Sequence, residues 1–155
     1  RSSAASDVYK RQNKRVIMNY WLMKSEPETW SWEQQVKAGS KGEGWDGVRN
    51  YQASNNMKKM KKGDLCFFYH SVKERDVVGI VKVIREYHPD PTDKSDRFGM
   101  VRISAVKALK KRVNLSQIKE DKRLNHLALV KQSRLSVMPI DKKSWTIICN
   151  LGGIK

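Results

Sequence analysis

The chain has 155 residues, enough for one domain with a sizeable core, and its 39% hydrophobic and 31% charged content is ordinary for a soluble globular protein. No window approaches 18 uncharged apolar residues, which excludes a helical membrane span, and no apolar run follows the basic start as a secretory signal would require. Lys and Arg number 32 against 16 acidic residues, a net +16; without the first 15 residues the balance is 27 against 15, still +12. A compact domain this basic attracts polyanions, chiefly nucleic acid, and the plainer alternative is that its lysines only keep the surface solvated.

In chain order, residues 1–17 read as a disordered or non-native leader, and 18–155 as the domain. The leader is Ser- and Ala-rich, then basic, with no apolar period. It fits a cloning linker or an upstream misread, or a basic arm that touches nucleic acid. Asn19–Lys24 predicts a strand stopped by Pro27. Thr29–Lys37 predicts a short helix, with Ser31 and Gln34 at capping-box spacing and Gly39 at its end. Gly39–Gly44 predicts a flexible loop and Trp45-Asp46-Gly47 a turn. A second helix is expected from about Arg49 to Lys59, with Ala53, Met57 and Met60 on one stripe.

Gly63-Asp64 turns the chain into Leu65–His70, apolar or aromatic on both faces and therefore expected at the centre of a sheet. Asp76–Tyr87 predicts a long strand in which Gly79 marks a bulge or a close approach. His88–Ser95 is a loop, and Phe98–Val106 alternates as a strand. Asn114–Lys131 reads as helical or irregular, and Leu135–Ile140 as a last strand. Asp141 caps a final helix over Lys142 to about Leu151, closed by Gly152-Gly153. Strands dominate the middle without regular helix alternation, which disfavours a doubly wound sheet and favours a small mixed α/β barrel.

Cys66 and Cys149 lie in apolar runs and lack metal-type spacing; they read as reduced core residues of a cytoplasmic protein (nuclear in a eukaryotic cell). His70, His88 and His126 form no ligand pattern, so no metal site is expected. Polar residues beyond what a fold needs gather at three element ends: Lys24-Ser25-Glu26, Trp45 to Tyr51, and Tyr69-His70-Ser71. A pocket for a base requires flat aromatic walls, for which Trp30, Trp45, Tyr51 and Tyr69 are candidates. It also requires fixed edge donors and acceptors, for which Ser25, Asn50, His70 and Ser71 are candidates. Arg49 and Lys24 could hold a flanking phosphate. Each has a structural alternative: core packing for Trp30 and Trp32, helix capping for Asn50, a surface ion pair for Lys24 and Glu26. No Ser-His-Asp order, Walker loop, Rossmann glycine set or zinc spacing occurs.

Four blocks carry a resemblance: Tyr20-Trp21-Leu22-Met23-Lys24-Ser25-Glu26-Pro27; Trp45-Asp46-Gly47-Val48-Arg49-Asn50-Tyr51-Gln52-Ala53; Lys62-Gly63-Asp64 with Phe68-Tyr69-His70-Ser71; and Arg134-Leu135-Ser136-Val137-Met138-Pro139. Together they closely resemble the EVE domain, from about Tyr20 to the C-terminus. The resemblance implies a mixed α/β, PUA-like pseudo-barrel of five or six strands with flanking helices, related to YTH and ASCH domains. A monomer that needs no cofactor is expected. The resemblance also implies binding of a modified base, a modified cytosine in DNA or a modified base in RNA. The implied pocket lies between Lys24, Ser25 and Glu26; Trp45, Val48, Arg49 and Asn50; Tyr69, His70 and Ser71; and Leu135, Ser136 and Val137; the residues themselves add Trp30 as the second candidate wall after Trp45. The competing function is an RNA-cleaving or RNA-modifying enzyme of ASCH type, with Lys24, Tyr69 and His70 as acid and base. The third is a general coat for nucleic acid, which would need only Lys and Arg and leaves the aromatic blocks unexplained.

Overall fold

The computed structural model describes residues 18–155, so the expectation of a leader lies outside the described residues. In chain order the elements are β1 (Tyr20–Ser25), α1 (Trp32–Lys37), a 3-10 turn (Gly39–Lys41), β2 (Glu43–Gly44), α2 (Tyr51–Lys59), β3 (Leu65–His70), β4 (Asp76–Pro89), β5 (Gly99–Asn114), α3 (Leu115–Glu120), α4 (Ala128–Lys131), β6 (Val137–Ile140) and α5 (Lys142–Leu151). The six strands form one open sheet in the order β2-β5-β4-β3-β1-β6. Only β1 and β3 run parallel; the other pairs are antiparallel. This is the expected mixed α/β architecture of strands with flanking helices.

β3 sits inside the sheet because its side chains can be buried on both faces. On one face Phe67 stacks on Trp145 of α5, with ring centroids 3.8 Å apart, and Tyr20 stacks on the same indole at 4.6 Å. On the other, Phe68 meets Trp32, Trp45 and His70 edge-on at 5.4–5.8 Å. Each fully buried Phe contributes about 1.5–3 kcal/mol. The turn before β3 is fixed by the buried Asp64, whose carboxylate accepts from the Trp21 indole at 3.0 Å and the Lys61 amide at 2.9 Å.

The β4 bulge falls at Val78: Phe68 pairs with Gly79 and Tyr69 with Val77. Gly79 also makes the expected close approach. A Cβ there would lie 2.5 Å from the Trp32 ring, so the absent side chain lets α1 lie flat on the sheet.

Several ends shift by about two residues: α2 begins at Tyr51, β4 runs on to Pro89 and β6 begins at Val137. Three segments differ more from expectation. α1 begins at Trp32 rather than Thr29, because the Glu26 carbonyl accepts from both the Thr29 and Trp30 amides and closes a turn first. The Gly39–Gly44 segment is not a simple loop: it holds the 3-10 turn and β2, which pairs with Ile103 and Arg102. β5 runs past Val106 to Asn114. Its Lys-rich second half hides strand character, since only Leu109 and Val113 turn inward there. The caps expected at Ser31 and Asp141 form, and Asn50 takes the capping role that stood as the alternative to a pocket role.

Candidate nucleic-acid interface

The C-terminal ends of the parallel pair β1 and β3 lie side by side, with Lys24 opposite Tyr69 and Ser25 opposite His70. Ligand sites in open sheets collect at such carboxyl ends. Here the strand ends open into a cleft of about 960 Å³. The turn after β1 contributes Glu26, Thr29 and Trp30; the segment before α2 contributes Trp45 to Arg49. The turn after β3 adds Ser71, Val72 and Arg75, and the stretch from α3 to β6 adds Lys119, Leu129, Ser133, Arg134 and Ser136.

Trp30 is held at two points. The Ser25 hydroxyl donates to its carbonyl, and its indole N–H donates to Gln35 Oε1 at 2.8 Å. Gln35 is itself fully buried, its amide donating to the Ile103 carbonyl at 3.2 Å. Trp45, 8% exposed, rests edge-on against Phe68, and its amide donates to the Val101 carbonyl at 2.8 Å.

Lys24 lies with its ammonium 5.8 Å from the centre of the Tyr69 ring and donates to the Ser133 carbonyl at 2.8 Å. Burial holds its pKa below the usual lysine value. The Tyr69 phenol is pushed up to about 12, first by burial; Arg75 opposes the shift and the charge of Asp76 adds to it. The phenol therefore keeps its proton at neutral pH and can donate as well as accept.

The segment carrying Trp45 is anchored from behind by Asp90, whose carboxylate is fully shielded from solvent. Asp90 Oδ2 accepts from the Gly47 amide at 2.8 Å and from Arg49 Nη1 at 3.1 Å. Oδ1 accepts from the Thr92 amide and hydroxyl at 2.7 and 2.6 Å. Burial alone would raise this carboxyl's pKa; the bonds from Thr92, Gly47 and Arg49 outweigh it and hold the pKa below the usual range. Gly47 suits the anchor because its φ of +80° costs little without a Cβ.

Of the residues expected in a pocket, Lys24, Ser25, Glu26, Trp30, Trp45, Val48, Arg49, Tyr69, Ser71 and Ser136 line this cleft. Four do not. Asn50 caps α2, its side chain accepting from the Ala53 amide at 2.8 Å. His70 is buried: Nε2 accepts from the Trp32 amide at 3.1 Å, so Nδ1 carries the proton and donates to Glu74 at 2.8 Å. Leu135 and Val137 point into the core. Arg49, expected at a phosphate, spends its guanidinium on Asp90, Thr92 and the Val48 carbonyl. Arg75, Lys119 and Ser133 were not singled out by sequence reasoning, because they are common surface residues far apart in the chain. Asp90 had one legible signal, its Asx-turn spacing to Thr92.

A sequence model of the EVE domain matches residues 19–151. The chain belongs to the EVE domain family. Thymocyte nuclear protein 1 of Rattus norvegicus is 33% identical to this EVE domain over 167 aligned positions, covering 87% of this chain and 74% of the relative. A crystal structure of an Agrobacterium tumefaciens protein is 48% identical, with a TM-score of 0.86 over 88% of this EVE domain and 94% of that chain. The human THYN1 protein, solved in complex with DNA containing 5-methylcytosine, is 32% identical, with a TM-score of 0.80 over 88% and 99% of the two chains. Among the described residues, no helix of this EVE domain is long and apolar enough to cross a membrane.

Proposed function

We propose that the cleft holds one modified base taken from nucleic acid, a modified cytosine in DNA before a modified base in RNA, and binds it without turnover. The observation that carries this reading is the meeting of Trp30, Trp45 and Tyr69 with Lys24, Arg75, Lys119 and Arg134 in one cleft. An extruded base needs an aromatic face to replace its lost stacking, worth about 1–3 kcal/mol per base. It also needs fixed partners along its edge. Tyr69, Ser71, Ser136 and the Lys24 ammonium offer donors and acceptors, and Arg75, Lys119 and Arg134 offer cations to the flanking phosphates. The DNA in the human relative's complex supports this ligand class. The relatives' name supports a nuclear setting where the cell has a nucleus.

Turnover would need a free acid–base pair. Both ring nitrogens of His70 are engaged with Trp32 and Glu74 behind the cleft, which favours binding over the ASCH-type reading.

The test is a titration of matched strands that differ in one modified base, with Trp45→Ala and the bulkier Trp45→Leu. Both folded variants are expected to lose the preference for the modified strand and to keep the salt-dependent background. Full discrimination in a folded Trp45 variant, or turnover of the strand, overturns the reading.

A further inference from the structure

The turn between β3 and β4 holds a feature that base holding alone does not use. Val72 has φ +75°, in the left-handed region. A β-branched residue there is an outlier, because its Cβ substituents crowd the backbone, and such strain persists only where the surroundings impose it. The surroundings do so at three points. The Ser71 amide donates to the Ser25 carbonyl at 2.9 Å, Lys73 pairs with Glu28, and Glu74 accepts from His70 at 2.8 Å. The turn thus lifts an apolar side chain, 59% exposed, to the mouth of the cleft. Gly or Asn would fill the same conformation at lower cost, so the turn's geometry does not explain the valine. Arg75, three residues on, lines the same cleft and supplies positive charge for phosphates beside Val72.

We infer that Val72 is a wedge that enters the stack of duplex nucleic acid where a base has been removed into the cleft. This rests on the base-holding reading above. Extruding a base leaves a gap between its neighbours, and water in that gap is poorly placed against two apolar ring faces. A short aliphatic side chain on a rigid turn fills the gap and opposes re-entry of the base; apolar wedges act this way when they unstack base steps. A single strand has no stack to repair, so the wedge matters for duplexes only.

The experiment compares wild type, Val72→Gly, Val72→Asn and Val72→Leu on one modified sequence, presented as a duplex and as a single strand. Gly and Asn accept the left-handed backbone, so both variants should melt no lower than wild type. They are expected to bind the modified duplex about tenfold more weakly while single-strand affinity stays within about twofold. Val72→Leu, which keeps an apolar side chain, should hold duplex affinity near that of wild type. 2-Aminopurine beside the modified base should brighten with wild type and much less with Val72→Gly. A duplex-to-single-strand affinity ratio unchanged in Val72→Gly overturns the wedge while leaving base holding intact. Absence of any preference for the modified single strand in wild type overturns base holding, and the wedge with it.

Discussion

At the scale of single residues, the cleft is organised by side chains that do not face it. Asp90 fixes the backbone of Gly47 and the guanidinium of Arg49, and so sets where Trp45 sits. Its carboxyl holds its charge more tightly in the folded than in the unfolded chain. The stability it contributes is therefore complete above the ordinary carboxylate range and disappears as pH falls below that range. Asp90→Asn should cost about 1–3 kcal/mol at neutral pH. It should also flatten the acid side of the melting temperature against pH, and weaken discrimination between strands with Trp45 intact. Thermal scans between neutral and acid pH check the first two, and an acid limb identical to wild type would contradict them. The contrast with Arg49 shows what sequence could reveal of the site. Ser25, Trp45 and Tyr69 stood out as unusual residues at element ends, and they line the cleft. The tasks of Arg49 and His70 were not readable, because each depends on a neighbour brought in from another part of the chain, whereas the capping role of Asn50, with its partner three residues on, was open to reading from the start.

At the scale of elements, strand and helix identity was legible wherever the apolar pattern was strong, as in β1, β3, α2 and α5. It failed where pairing alone makes the structure. β2 has two residues and no pattern of its own, and the lysines of β5 obscure a strand held by its partner β4. The contact between α1 and β4 shows how tightly elements are matched. Gly79→Ala would press its new methyl into the Trp32 ring, and overpacking of this kind costs about 1–3 kcal/mol. Urea denaturation should show that loss in Gly79→Ala, with partial recovery when Trp32→Leu is added. Equal stability of Gly79→Ala and wild type would show that α1 moves freely over the sheet.

At the scale of the whole molecule, the net charge of +16 acts on every polyanion alike. Binding to any strand, modified or not, should weaken steeply with salt, in proportion to the phosphates neutralised. The difference between modified and unmodified strands should change much less, since it arises inside the cleft. Affinities at several salt concentrations separate the two, and a flat salt response would mean that the basic surface serves solubility only. The sheet order also bears on how the chain reaches this state. β1 is made before the other strands, yet its two hydrogen-bonding neighbours are β3, about 45 positions later, and β6, about 118 positions later. Non-local pairing of this kind pays loop-closure entropy before any contact repays it. During synthesis β1 must therefore wait, unpaired on one side, until β6 has been made. Lys24 and Ser25 at its end wait with it, and the cleft is among the last parts of the molecule to exist.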